Sequence, residues 1–156
     1  YPNSFVIPET KVDERVMIVP GTDGQKMSKS YNNDIDIFLS DKKLKKQIMG
    51  IKTDSTPMEE KKNAKDCNVF QLYRLLATEK QSENLKAKYA AGNFGYGYAK
   101  QELFDLICDK YTVEREKFNY LMENKDIIEK ELQKGAEKAK VIAREVLQRV
   151  RINIGY

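Results

Sequence analysis

Pro20–Gly21–Thr22–Asp23–Gly24–Gln25–Lys26–Met27–Ser28–Lys29–Ser30 is the stretch on which the reading of this chain turns. Its first half holds a proline and two glycines, which makes it a turn that settles into neither helix nor strand. Its second half sets two ammonium groups three residues apart, with the hydroxyls of Ser28 and Ser30 beside them. A single helical turn there would project Lys26 and Lys29 to the same side. A loop with two point charges and two small donors suits a polyphosphate, whose charge shifts as a bond breaks. The plainer alternative is a basic surface turn.

Upstream of the loop, Ser4–Ile7 between Pro2 and Pro8 reads as a short extended segment, and Arg15–Val19 as a buried strand. Downstream, residues 31–39 read as a linker that Ile35 and Ile37 anchor. Ser40 is placed to cap a helix from Asp41 to about Met49, closed by Gly50. Leu44 and Ile48 face inward, while Lys42, Lys43, Lys45 and Lys46 form either a solvated face or a track for RNA phosphates. Thr53–Asp54–Ser55 is a structural turn. Thr56–Pro57–Met58–Glu59 has the form of a capping box opening a short helix to about Lys65.

Residues 68–77 are the most apolar stretch and predict a helix in the middle of a bundle, with Cys67 as a small buried residue before it. Thr78–Glu79–Lys80–Gln81 is a second capping box, opening a helix through Leu85 and Tyr89 that Gly92 stops. The glycines of residues 92–97 precede a helix, but their spacing suits close helix packing better than a phosphate loop. That helix carries Ala99, Leu103, Leu106, Ile107 and Lys110 on one side. Thr112 is expected to cap the next, with Val113, Phe118, Leu121 and Met122 inward. The last and longest helix runs from Asn124 or Asp126 to about Asn153. Its inner stripe is Ile128, Leu132, Gly135, Ala139, Ile142, Val146 and Val150, with Gly135, Ala136 and Ala139 a narrow point for a neighbouring helix. Lys134, Lys138, Lys140, Arg144, Arg149 and Arg151 give it a basic exterior suited to RNA.

The 156 residues are 33% charged and 40% hydrophobic, a balance of helical proteins rather than of disordered ones. The net charge of +4 permits contact with RNA without requiring it. Cys67 and Cys108 have neither zinc nor disulfide spacing, so no metal site is expected and reduced thiols point to the cytoplasm. No apolar run is long enough to span a bilayer, so no membrane partner is expected.

Lys26–Met27–Ser28–Lys29–Ser30 resembles the signature loop of class I aminoacyl-tRNA synthetases. Four further blocks carry the resemblance to the tryptophanyl-tRNA synthetase family: Thr53–Asp54–Ser55, Cys67–Asn68–Val69–Phe70–Gln71–Leu72–Tyr73, Gly92–Asn93–Phe94–Gly95–Tyr96–Gly97 and Gly135–Ala136–Glu137–Lys138–Ala139. Together with Met27–Ser28–Lys29–Ser30–Tyr31–Asn32–Asn33 they run in order from about Phe5 to Gly155. The tyrosine enzyme shares the loop but not this series.

The resemblance implies a mainly α fold. Residues 40–156 would be an antiparallel helical bundle, the C-terminal tRNA- and anticodon-binding domain. Residues 1–39 would be the edge of a Rossmann-type catalytic domain, with a short β or extended segment and the signature loop. Histidine is absent, so the His-Ile-Gly-His motif of the family is missing. With Tyr1–Pro2 at the start, the expectation is a C-terminal portion that is inactive alone.

The implied reaction is ATP-dependent activation of L-tryptophan to its adenylate and transfer to tRNA(Trp). Lys26 and Lys29 would stabilise charge on the leaving pyrophosphate, Met27 would steady the loop, and Ser28 and Ser30 would bond phosphate. Backbone at Val16 and Met17 would meet the adenine, or else serve plain sheet packing. The basic residues of the last helix would meet the anticodon arm. The family implies ATP as substrate with its Mg2+, a homodimer and a cytoplasmic site of action. The alternatives are a non-catalytic helical RNA-binding module and a tyrosyl-type class I synthetase.

Overall fold

A computed structural model describes residues 4–11 and 18–156. Its regular elements are helices α1 (Asp41–Met49), α2 (Asn68–Leu76), α3 (Glu79–Ala91), α4 (Tyr96–Lys110), α5 (Thr112–Glu123) and α6 (Lys125–Ile154), with a 3-10 turn at Lys29–Tyr31. Among the described residues there is no strand, only an isolated antiparallel bridge between Pro20 and Lys26. The segment Ser4–Ile7 is therefore irregular chain, because no sheet partner is present among the described residues. The strand expected at Arg15–Val19 lies mostly outside them.

The chain divides into two compact units, residues 13–115 and residues 1–12 with 116–156. In the first, α1 and α2 both pack on α4, and α3 packs on α2. The mainly α, bundled architecture expected from the sequence is borne out. Its core joins Leu44 and Ile48 of α1 to Val69, Phe70, Leu72 and Tyr73 of α2, Leu85 and Tyr89 of α3, and Ala99, Leu103 and Ile107 of α4. These positions recur at helical spacing, so each helix turns one apolar stripe inward. Ile35, Ile37 and Leu39 pack on the same core, anchoring the linker as expected.

Helix ends are tied by cations. Lys100 donates to the Met49 carbonyl at 3.0 Å and Lys110 to that of Leu76 at 2.6 Å, each at a helix C-terminus where the dipole favours positive charge. The Thr78 box forms in full, with Thr78 and Gln81 each accepting from the other's backbone amide. Gly92 closes α3 at φ 77°.

Local expectations fail at several points: the Ser40 side chain makes no capping bond, and Val113 and Met122 of α5 are exposed rather than inward. The box at Thr56 opens no helix: residues 56–65 stay irregular. The Lys62 ammonium instead takes the carbonyls of Pro57 at 2.7 Å, Glu60 at 3.2 Å and Met58 at 3.3 Å, so the chain curls round a cation. Thr112 does not cap α5, because its hydroxyl donates back to the Cys108 carbonyl at 2.7 Å. The glycines at 92–97 serve loop packing rather than helix packing. A Cβ at Gly92 would lie 2.6 Å from the Glu59 carbonyl oxygen, whereas one at Gly97 would meet nothing.

In the second unit α6 buries no residue, and Leu132 and Ile142 of the expected inner stripe are 62% and 66% exposed. Among the described residues, no neighbour approaches Gly135 within 4 Å of where a Cβ would stand. The reason is length: thirty helical residues run ~45 Å, far beyond what the short α5 can cover. Near its C-terminus α6 is pinned by buried Ser4, which accepts from Arg149 Nε through its carbonyl and from Asn153 Nδ2 through its hydroxyl.

Candidate phosphate-binding loop

The loop is built on a closed base. Met27 N donates to the Val19 carbonyl at 2.8 Å, Gly21 N to Gln25 O at 2.7 Å, and Thr22 N to Asn33 O at 2.8 Å. Gly24 sits at φ 86°, a left-handed conformation costly for other residues. Outside the loop, Lys52 N donates to Thr22 O at 2.7 Å, and Asn68 Nδ2 to Lys52 O at 3.1 Å. The N-terminus of α2 thus braces the turn.

Lys26 and Lys29 are both exposed, but they do not share one helical turn. Lys26 is held in the bridge to Pro20, and Lys29 opens the 3-10 turn. The closed base commits Lys26 to extended pairing before the chain curls. Ser28 stands between the two as the cap of that turn. Its hydroxyl accepts from Ser30 N at 3.3 Å and lies 2.8 Å from the Ser30 hydroxyl. Met27 is half-buried and packs on the helical core. Val16 and Met17 lie outside the described residues.

The group that organises these pieces is Asn33, which is 2% exposed. Its Oδ1 accepts from Ser28 N at 2.8 Å, while its Nδ2 donates to Asp23 Oδ1 at 2.8 Å and to the Lys26 carbonyl at 3.1 Å. The Asn33 bond, helped by the Gln25 amide, holds the Asp23 carboxyl below its usual range. Asn33 falls in the block quoted for the resemblance, yet nothing in its spacing marks it as a hub. Only the folded loop brings residues 23, 26 and 28 onto one amide.

Lys43 and Lys46 of α1 line a cleft of about 400 Å³ with Thr22, Asn32, Asp34 and Gln47, so part of the lysine face lies beside the loop. Lys45 instead lies over the Phe104 ring, 5.7 Å from its centre. Behind the loop, Asp54 accepts from Thr56 N and from Tyr96 Oη, both at 2.8 Å, and the Thr56 bonds hold its carboxyl low. Asp54 of the Thr-Asp-Ser block thereby ties its turn to Tyr96 of α4.

The basic residues of α6 are exposed but do not form one patch. Lys140, Arg144 and Arg151 follow one line along the helix, and Lys134 and Lys138 another ~120° away. Lys134 pairs with Glu131 at 2.7 Å, and Arg149 is engaged by Ser4. Among the described residues, no three His, Cys, Asp or Glu side chains are grouped to hold a metal. No described helix is long and apolar enough to cross a membrane.

The family described as tRNA synthetases class I (W and Y) matches residues 2–112. The tryptophan–tRNA ligase of Fusobacterium nucleatum is 46% identical over 151 residues, covering 97% of this chain and 46% of the relative. That of Campylobacter jejuni strain RM1221 is 44% identical over 151 residues, with coverages of 97% and 47%. The crystal structure of tryptophanyl-tRNA synthetase from Campylobacter jejuni complexed with ADP and tryptophan superposes with a TM-score of 0.86 at 44% identity. It matches 98% of this chain and 48% of its own. The chain spans about half the length of the curated relatives it matches.

Proposed function

This chain belongs to the class I tRNA synthetases of the tryptophan and tyrosine type, and from that premise we propose that it supplies the signature loop and helical C-terminal portion of a tryptophan–tRNA ligase. Residues 1–39 are the edge of the catalytic domain and residues 40–156 the tRNA-binding domain in this reading. The substrates are L-tryptophan, ATP with its Mg2+, and tRNA(Trp), and the setting is a cytoplasmic homodimer. The observation that carries the proposal is a rooted loop presenting two exposed lysines and two hydroxyls, with neither lysine in an ion pair among the described residues. The tryptophan ligases among the relatives favour tryptophan over the tyrosyl alternative and over a non-catalytic module.

Lys29 and Lys26 would stabilise negative charge building on the β- and γ-phosphates as the tryptophan carboxylate attacks the α-phosphorus. The work is positioning and electrostatics, because phosphoryl transfer leaves the protein little covalent chemistry. Ser28 and Ser30, whose hydroxyls bond each other, can turn them to phosphate oxygens. The ATP-borne metal would neutralise phosphate charge, and the described residues offer it no cage of their own. In this reading Val16 and Met17 meet adenine. Of the six basic residues of α6, the Lys140, Arg144 and Arg151 line meets the anticodon arm.

The test uses a chimera in which this chain replaces the matched part of the Campylobacter jejuni enzyme. Tryptophan-dependent pyrophosphate exchange is expected from the chimera and not from the 156 residues alone. Lys29→Ala should slow it ~10²–10³-fold, the scale of one lost transition-state donor. An undiminished rate in the Lys26→Ala, Lys29→Ala double variant would refute the assignment.

A further inference from the structure

We propose that the Asn33 carboxamide is a positioning group that fixes the two phosphate-binding lysines relative to one another, with Asp23 as its outer anchor. The inference deepens the loop reading above and rests on it.

One planar group reaches both lysine-bearing segments. Nδ2 takes the carbonyl of Lys26 itself, and Oδ1 takes the amide of Ser28, the residue whose hydroxyl caps the turn that Lys29 opens. An amide is rigid and its two ends have opposite hydrogen-bonding character, so neither bond can shift without turning the other. The remaining Nδ2 proton goes to Asp23, whose carboxylate also takes Gln25 N. The carboxamide is therefore held from the turn as well as from the loop base. Gly21 completes the seat, because a Cβ there would stand 2.4 Å from Asn33 Cγ. The group is buried and fully bonded in a loop whose lysines are otherwise exposed, which is what pre-organisation requires. Neither lysine is touched by Asn33 through its ammonium. The effect runs through backbone alone.

The two anchors make a test that simple electrostatics cannot mimic. Asp23 is an exposed anion beside the cationic loop, so charge alone predicts that Asp23→Ala strengthens the binding of an anion. Positioning predicts that it weakens it. Inorganic pyrophosphate with magnesium is titrated into the 156-residue chain, and amide exchange is followed residue by residue. Asn33→Ala and Asp23→Ala are each expected to weaken pyrophosphate about three- to tenfold and to speed exchange at the Ser28 amide at least tenfold. Amides of α1–α4 should be unchanged. The double variant should lose no more than Asn33→Ala alone, since the two act as one unit. Should Asn33→Ala fold poorly, Asp23→Ala carries the test by itself.

Tighter or unchanged pyrophosphate binding in Asp23→Ala, with Lys29→Ala still weakening it, overturns the positioning role and leaves the loop reading intact. Binding that Lys29→Ala leaves unchanged overturns the loop reading and this inference with it.

Discussion

Lys62→Met is the substitution whose cost the structure defines most closely. Lys62 is 6% exposed, and its ammonium donates to three carbonyls of one turn and lies 5.3 Å from the centre of the Tyr96 ring. Methionine keeps the methylene packing and removes only the charge and its donors. Each lost bond is worth about 1 kcal/mol net, and the ring contact about 1 more. Those values are already net of desolvation, and because the contacts share one ammonium they add to less than their sum. The expected loss is thus ~2–3 kcal/mol, or ~10–20 °C in Tm for a unit of this size. Urea denaturation followed by far-UV circular dichroism measures it. Lys62→Arg should not restore the midpoint, because a planar fork does not fit a cage shaped for a compact ammonium. An unchanged urea midpoint in Lys62→Met would refute the reasoning. The turn would then rest on the Phe94 amide bond to the Met58 carbonyl, 3.1 Å long, without help from the cation.

Gly92→Ala combines φ 77° with a Cβ placed 2.6 Å from the Glu59 carbonyl oxygen, so a loss of ~2 kcal/mol or more is expected in the same assay. Leu103→Ala, at a fully buried site of α4, should cost ~2–5 kcal/mol, read as a lower urea midpoint at constant slope. The Asp54 carboxyl is held below its ordinary 3.8, so its stabilisation is present above that value and is lost as pH falls through the folded value. Acid unfolding of Asp54→Asn, measured from pH 5 to 2, should therefore be shallower than that of the parent chain. Lys29→Arg in the chimera should recover only part of the exchange rate lost in Lys29→Ala, because guanidinium and ammonium address phosphate differently.

Much of this was legible in the sequence because helices announce themselves by spacing and by their ends. Ser40, Gly50, the Thr78 box and Gly92 bracket α1 and α3 where the structure has them. The Val69–Leu76 run could face only a core. What was not legible depends on groups meeting from far along the chain. The Thr56 box is a sound local signal that lost to the Lys62 side chain, a competition no periodicity reports. The amphipathic stripe of α6 states which face is apolar and is silent on whether anything covers it. In the loop, the lysines are visible as charges at close spacing. Asn33, which organises them, is one more polar residue in a polar segment until the chain folds.

Tyr89 carries a further consequence. Its phenol is fully buried, 3.4 Å from Cys67 Sγ, and its ring meets those of Phe70, Phe94 and Tyr96. Burial keeps the protons of Tyr89 and Tyr96 on well past the ordinary 10.0. The stability they contribute is whole below 10.0 and drains away as alkalinity climbs toward their folded values. With nine tyrosines and no tryptophan, the ultraviolet absorption of the chain is that of phenol and phenolate. Base therefore reports its own damage: the last step of the phenolate band belongs to these two rings and arrives together with the melting of the helices around them.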